Sequence, residues 1–338
     1  MVAGEYVRRV QLVGGTTYAV ALPKDWAVSH GLVKGSRLRL TVLPSGQLLI
    51  EPYREDERRG ESRHVRVEYS PGDYSGGIRR IVSYYVAGAD VIEIAYPEEA
   101  AGEVERLVDQ LRNILLGVEV LEVEPGVYRL YAVLDDYRMG FWDAYRKMRR
   151  AVTGMMESLE TAITRGDSRL ASEVAKRDDI VDRLYLYLVR QLTRSLLLGS
   201  TVGNLDLTPA EAPHVFLGVK SLERIGDHTT IVSTLASRSI RGLTQLTRYM
   251  GELRGIVSEA ARLLEEPSLE EANRWANQAS RLARELRRVR DENTSNPPLS
   301  HAALSLARIS GYAQDILEAA IDRTIIREYS RVLTLTHK

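Results

Sequence analysis

Cysteine is missing from all 338 residues, which removes disulfides, thiolate zinc sites and cysteine nucleophiles together. An excess of one charge is missing too. The 46 Lys and Arg face 46 Asp and Glu, so no global field draws the chain to nucleic acid or membrane, and any such binding must rest on a local patch. No stretch approaches the roughly 18 consecutive apolar residues of a membrane span, and Met1-Val2-Ala3-Gly4-Glu5-Tyr6 has no apolar signal-peptide core. The expectation is a cytoplasmic protein without membrane insertion. Gly76-Gly77 stands in a helix start with no phosphate-loop pattern after it, so it carries no nucleotide role. What remains is 44% apolar residues over a length sufficient for two or three domains.

Residues 5–52 alternate in the strand manner between turn residues. Strands are expected over Tyr6–Val13 and Tyr18–Leu22 around Gly14-Gly15. A short helix follows over Lys24–His30, with Pro23 at its start and Gly31 at its end. Arg37–Leu43 and Gln47–Glu51 read as a hairpin around Pro44-Ser45-Gly46, and residues 53–63, without an apolar run, read as a linker. Residues 64–136 alternate strand and helix: strands His64–Tyr69, Val91–Ala95, Val118–Val123 and Val127–Leu134, helices Ser75–Ala87 and Ala100–Leu116. A sheet covered by two helices on one face is the simplest packing for them.

From Phe141 the pattern is helical, in six segments: 141–165, 168–198, 210–238, 241–265, 268–292 and 299–332. Short links between long helices suggest two three-helix bundles, 137–240 and 241–338. An internal repeat supports the division. Ser221-Leu222-Glu223-Arg224-Ile225-Gly226-Asp227-His228 recurs as Ser305-Leu306-Ala307-Arg308-Ile309-Ser310-Gly311-Tyr312, which keeps the apolar and arginine positions and loses the carboxylates. The fold class is thus multidomain α+β: a small β-rich domain (1–52), a small α/β sandwich (64–136), then all-α tandem three-helix bundles.

The chemistry sits in two carboxylate pairs. Asp178 and Asp182, like Glu223 and Asp227, are four residues apart, a spacing that puts each pair on one helix face. Four such carboxylates facing one another suit a hard cation with oxygen ligands, and His228 adds a nitrogen. Taking the apolar stripe of the second helix through Val174, at about 100° per residue, Asp178 and Asp182 fall at the stripe's edge. On the third helix, with its stripe through Leu217, Ile225, Val232 and Leu235, Glu223 and Asp227 fall about 120° or more from the centre. His228 points toward the stripe, as a core histidine would. The alternative is exposed carboxylates paired with Lys176, Arg177, Arg183 and Arg224. Metal-bound water could be positioned here, yet no histidine cluster, serine nucleophile or phosphate loop accompanies the carboxylates, so an enzyme is not expected.

Asp178-Asp179-Ile180-Val181-Asp182 and Leu222-Glu223-Arg224-Ile225-Gly226-Asp227-His228, with the repeat behind them, resemble the PhoU family of phosphate-uptake regulators, built from two three-helix bundles. That resemblance implies iron, zinc, manganese or magnesium on the first bundle, and a non-enzymatic regulator of phosphate transport and phosphate-responsive signalling. It also implies docking on a transporter ATPase subunit or signalling protein. Tyr18-Ala19-Val20-Ala21-Leu22-Pro23-Lys24-Asp25-Trp26, followed by Gly31-Leu32-Val33-Lys34-Gly35-Ser36-Arg37-Leu38, resembles the AbrB/SpoVT/MazE swapped-hairpin domain. This implies a homodimer with interleaved hairpins forming one barrel, and usually a DNA-binding surface. Arg8, Arg9, Lys24, Arg37 and Arg39 would then meet phosphates, although the short helix reads Trp26-Ala27-Val28-Ser29-His30 where that family places arginines. A DNA-binding transcriptional regulator with the bundles as sensor is therefore the second reading.

Overall fold

The computed structural model describes residues 5–42, 48–53, 63–133, 139–198 and 207–335. The expected turn Pro44-Ser45-Gly46 and nearly all of the expected linker lie outside these residues. The chain divides into two compact units, Met1–Glu61 and Ser62–Lys338.

In the first unit, β1 (Gln11–Val13) pairs antiparallel with β2 (Thr17–Ala19), joined by a turn in which Gly14 and Gly15 take φ of 64° and 80°, a region that side chains disfavour. α1 (Lys24–Ser29) follows, then β3 (Leu38–Val42) pairs with β4 (Leu48–Pro52). The first ladder is shorter than the alternation predicts. Across the tight turn only three residues find partners, from Gln11↔Ala19 to Val13↔Thr17, so Tyr6–Val10 and Val20–Leu22 stay outside strands. Among the described residues of this unit none is buried, and Val7, Val10, Tyr18, Val33 and Val42 stand exposed.

The second unit opens with β5 (His64–Glu68), α2 (Tyr74–Val86), β6 (Val91–Ala95), α3 (Ala101–Ile114), β7 (Val118–Glu124) and β8 (Val127–Ala132), in the sheet order β5-β6-β8-β7. β5 and β6 are parallel through the α2 crossover, and the other pairs are antiparallel. Period-two alternation decides the faces. Val67, Ile92, Ile94 and Leu130 join Ile81, Tyr85, Val104, Leu107 and Leu111 in one core. The opposite face carries a cross-strand charge row, in which Glu93 accepts from Arg66 Nη1 at 2.5 Å and from Arg129 Nε at 2.9 Å.

The helical part runs α4 (Phe141–Arg165), α5 (Ser168–Ala175), α6 (Asp178–Leu198), α7 (Ala212–Ser239), α8 (Thr247–Glu265), α9 (Leu269–Glu292) and α10 (Pro297–Leu335). The segment expected as one helix over 168–198 is two. Lys176 and Arg177 form a turn, and Asp178 and Asp179 open α6, where the partial positive charge of a helix N-terminus favours carboxylates. Residues 240–246 are 3-10 helix, which shortens the fourth segment at its start. One apolar core runs through α4 to α10.

α6 also holds the sheet portion. Arg190, 2% exposed, lies over the Tyr85 ring and donates to the Tyr85 and Ala89 carbonyls at 2.6 and 2.7 Å and to Asp90 Oδ1 at 2.9 Å. Arg194 donates to the same Asp90 oxygen at 2.7 Å. One helix therefore carries the first carboxylate pair at its start and the clamp on α2 three turns later.

Candidate metal centre

Asp178 and Asp182 project from the first turns of α6 toward α7. The two helices approach closely because residue 226 is glycine: a Cβ there would stand 3.0 Å from Asp178 Oδ1 and 3.3 Å from a Val181 methyl. Asp227 completes the group, and one carboxylate oxygen from each of Asp178, Asp182 and Asp227 lies within 4.8 Å of the others. Oxygens bound to one hard cation at about 2.0–2.6 Å fall within that span of one another. Asp178 and Asp227 are half-buried and Asp182 is exposed, so the group is reachable from water.

Electrostatics strain the group in the absence of a cation. Burial first, then Asp182 and Asp227, push the Asp178 carboxyl up to about 6. Burial, then Glu223 and Asp227, push Asp182 to about 6 as well. Desolvation and like charge both disfavour the ionised form. Asp178 Oδ1 is buried without a hydrogen-bond partner, a state that normally costs stability. Such oxygen acceptors fit a bound divalent ion.

Glu223 corrects the helical projection. It is 8% exposed, not beyond the rim, whereas Leu217, taken as part of the stripe, is 47% exposed. α7 packs against α4, α5, α6 and α10, and a helix covered on several sides has no single apolar stripe. Glu223 Oε1 accepts from Lys220 Nζ at 2.5 Å, and its Oε2 is buried without a hydrogen-bond partner. Arg224 Nη1 donates to Asp227 Oδ2 at 3.0 Å.

The PhoU domain family matches residues 145–236, the span that contains both carboxylate pairs. This chain carries a PhoU domain. The antidote-toxin recognition MazE, bacterial antitoxin, family matches residues 11–58, so a MazE/AbrB-like domain precedes the PhoU domain. The chain is also similar to the crystal structure of PhoU from Pseudomonas aeruginosa, at 20% identity over 55% of this chain and 95% of that one, with a TM-score of 0.46. No curated protein matches it.

Within the PhoU domain, His228 stays out of the three-aspartate group. Its ring sits 5.7 Å from that of Tyr312 on α10, and burial, then Arg308, hold its pKa below the ordinary imidazole value. The degenerate repeat on α10 thus packs against the intact copy on α7. Asp179 is exposed and apart from the group. Of the cations expected to pair with the carboxylates, only Arg224 does so; Arg177 Nη1 donates to Ser158 Oγ, and Arg183 Nε is buried without a partner. Lys220 is the residue that sequence reasoning missed, and its spacing of three from Glu223 was the available signal.

In the MazE/AbrB-like domain, Arg8, Arg9, Lys24, Arg37 and Arg39 are all exposed. Arg8 lies over the Tyr6 ring, and Arg37 and Arg39 both lie over Tyr53, at 5.0 and 5.6 Å. Among the described residues no helix is long and apolar enough to cross a membrane.

Proposed function

We propose that the protein is a non-enzymatic, cytoplasmic regulator of phosphate uptake and phosphate-responsive signalling. It binds a divalent metal through Asp178, Asp182 and Asp227, with Glu223 behind them, and docks on a phosphate transporter's ATPase subunit or a signalling protein. The observation that carries this reading is the convergence of three carboxylates from two helices inside a PhoU domain. Iron, zinc, manganese and magnesium all accept such oxygen donors. Elemental analysis of the full chain after incubation with ferrous iron, manganese or zinc tests it. Wild type should retain metal and Asp178→Asn/Asp182→Asn should not; equal, near-zero contents would remove the metal from the proposal. Unchanged phosphate uptake in cells carrying that double variant would remove the regulatory role.

The first unit supports a homodimer. Two separate two-stranded ladders with no buried residue among those described do not make a stable domain, and a second copy supplies both the missing strand partners and cover for the exposed valines. Sedimentation equilibrium of the full chain should return twice the chain mass.

The arginines favour a second reading, a DNA-binding transcriptional regulator with the PhoU domain as sensor. Residues 5–53 hold six Lys and Arg against three Asp and Glu, a local excess in a neutral chain, and the five candidate cations are exposed. Fluorescence anisotropy with random duplex DNA at low and moderate salt decides this. Binding with a steep salt dependence that Arg8→Ala/Arg9→Ala abolishes supports DNA recognition, and absence of binding at low salt refutes it.

A further inference from the structure

Both α7 carboxylates have a cation one turn earlier, and Arg224 Nε also lies 3.8 Å from Glu223 Oε2. Lys220 stands three residues before Glu223 and pairs with it at 2.5 Å; Arg224 stands three before Asp227 and pairs with it at 3.0 Å. The two pairs differ in setting. Arg224 is about half exposed, at 48% of its side chain, and an ion pair so open to water is weak. Lys220 Nζ lies 4.5 Å from the centroid of the Tyr185 ring, over its face, while its carboxylate partner is nine-tenths buried. A cation held between an aromatic face and a desolvated carboxylate is held well.

Glu223 stands outside the group of three oxygens within 4.8 Å, one turn before Asp227, and is the more buried of the two α7 carboxylates. Its second oxygen has no hydrogen-bond partner, and its charge is felt at both Asp178 and Asp182. It is the fourth carboxylate a cation would recruit, and it is already occupied.

Resting on the metal-binding reading above, we propose that Lys220 is a resident counter-ion of this centre, which a divalent metal must displace from Glu223 before the fourth carboxylate can serve it. The centre exchanges one cation for another. In the metal-free state the ammonium offsets part of the repulsion among four carboxylates, and on loading it leaves the Tyr185 face and Glu223 for solvent. Lys220 thereby weakens metal affinity, so that the centre responds to a change in metal level instead of staying saturated. Metal loading also frees a positive charge beside α6, the helix that clamps the sheet portion through Arg190.

The test is calorimetric titration of the full-length protein with Mn2+, comparing wild type, Lys220→Met, Lys220→Arg and Asp182→Asn. Methionine keeps the aliphatic stem and removes the competitor, so Lys220→Met should bind Mn2+ about tenfold more tightly, in keeping with the strength of a partly buried pair. Lys220→Arg, which keeps the charge, should stay within about threefold of wild type, a change of well under one tenfold step. Equal affinity of wild type and Lys220→Met, with binding lost in Asp182→Asn, overturns the counter-ion while leaving the metal centre intact. Weaker binding by Lys220→Met overturns it too, since Lys220 would then position Glu223. Failure of every protein to bind Mn2+ overturns the metal reading itself. A second readout does not depend on any variant folding: amine-reactive labelling of Lys220 in wild type should rise on Mn2+ addition, and labelling that stays constant while Mn2+ binds refutes the displacement.

Discussion

Asp182→Asn is expected to stabilise the metal-free protein at neutral pH and to abolish its stabilisation by metal. In the folded chain the Asp182 carboxyl is pushed up to about 6 from an ordinary 3.8 by burial, then by Glu223 and Asp227. A carboxylate whose folded pKa is raised binds more protons folded than unfolded between these values. Stability therefore falls as pH rises from about 4 to about 6, and the full penalty is present above that range. Two units correspond nominally to about 3 kcal/mol at ~1.36 kcal/mol each. Asp182 is exposed, however, and screening by water reduces the expected gain to about 1 kcal/mol. In a chain of this size that is a rise of about 2 °C in Tm.

The assay is thermal unfolding in a chelator at pH 7.5 and pH 4.5. The variant should melt higher at pH 7.5, with the difference shrinking at pH 4.5, where most of the penalty has gone. Adding manganese at about 100 times its Kd should then stabilise wild type by about 2.7 kcal/mol and leave the variant unmoved. A variant that melts lower than wild type in chelator at pH 7.5 would refute the reasoning, because the Asp182 charge would then be stabilised by its surroundings. A pH-independent difference would refute it equally.

Gly226→Ala places a methyl 3.0 Å from Asp178 Oδ1, so manganese affinity should drop severalfold by calorimetry. The gain of about 1 kcal/mol in helix propensity should keep Tm within a few degrees of wild type. Arg190→Met removes a buried guanidinium from two carbonyls and Asp90; urea denaturation should show a loss of about 3 kcal/mol, and an unchanged midpoint would mean that the clamp adds nothing. Glu223→Gln leaves Lys220 without its charged partner, and amine-reactive labelling of Lys220 in chelator should rise severalfold.

Hydrophobic period and turn residues were enough to read the layer order: a short β region, a sheet with helices on one face, then long helices. The Gly14-Gly15 turn and the span of β6, expected and observed over Val91–Ala95, follow local rules that one chain can obey by itself. The misses share a cause. β1 was read over eight residues because alternation marks which residues suit a strand, not how many partners a tight turn supplies. The break at Lys176-Arg177 was invisible because neither residue is a helix breaker.

The same distinction explains the centre. The i, i+4 spacing identified the four carboxylates without reference to any fold, and the close approach of three of them depends on one glycine, Gly226, whose role emerges only when α6 is laid against it. Glu223 was misplaced because a helical wheel assigns one inside and one outside, whereas α7 has α4, α5, α6 and α10 around it. In such a helix the polar residues cannot all reach water, and a buried carboxylate gains from a cation within reach. Lys220, one turn before Glu223, supplies such a cation at 2.5 Å to the most buried of the four acids, a pairing that the apolar pattern does not mark.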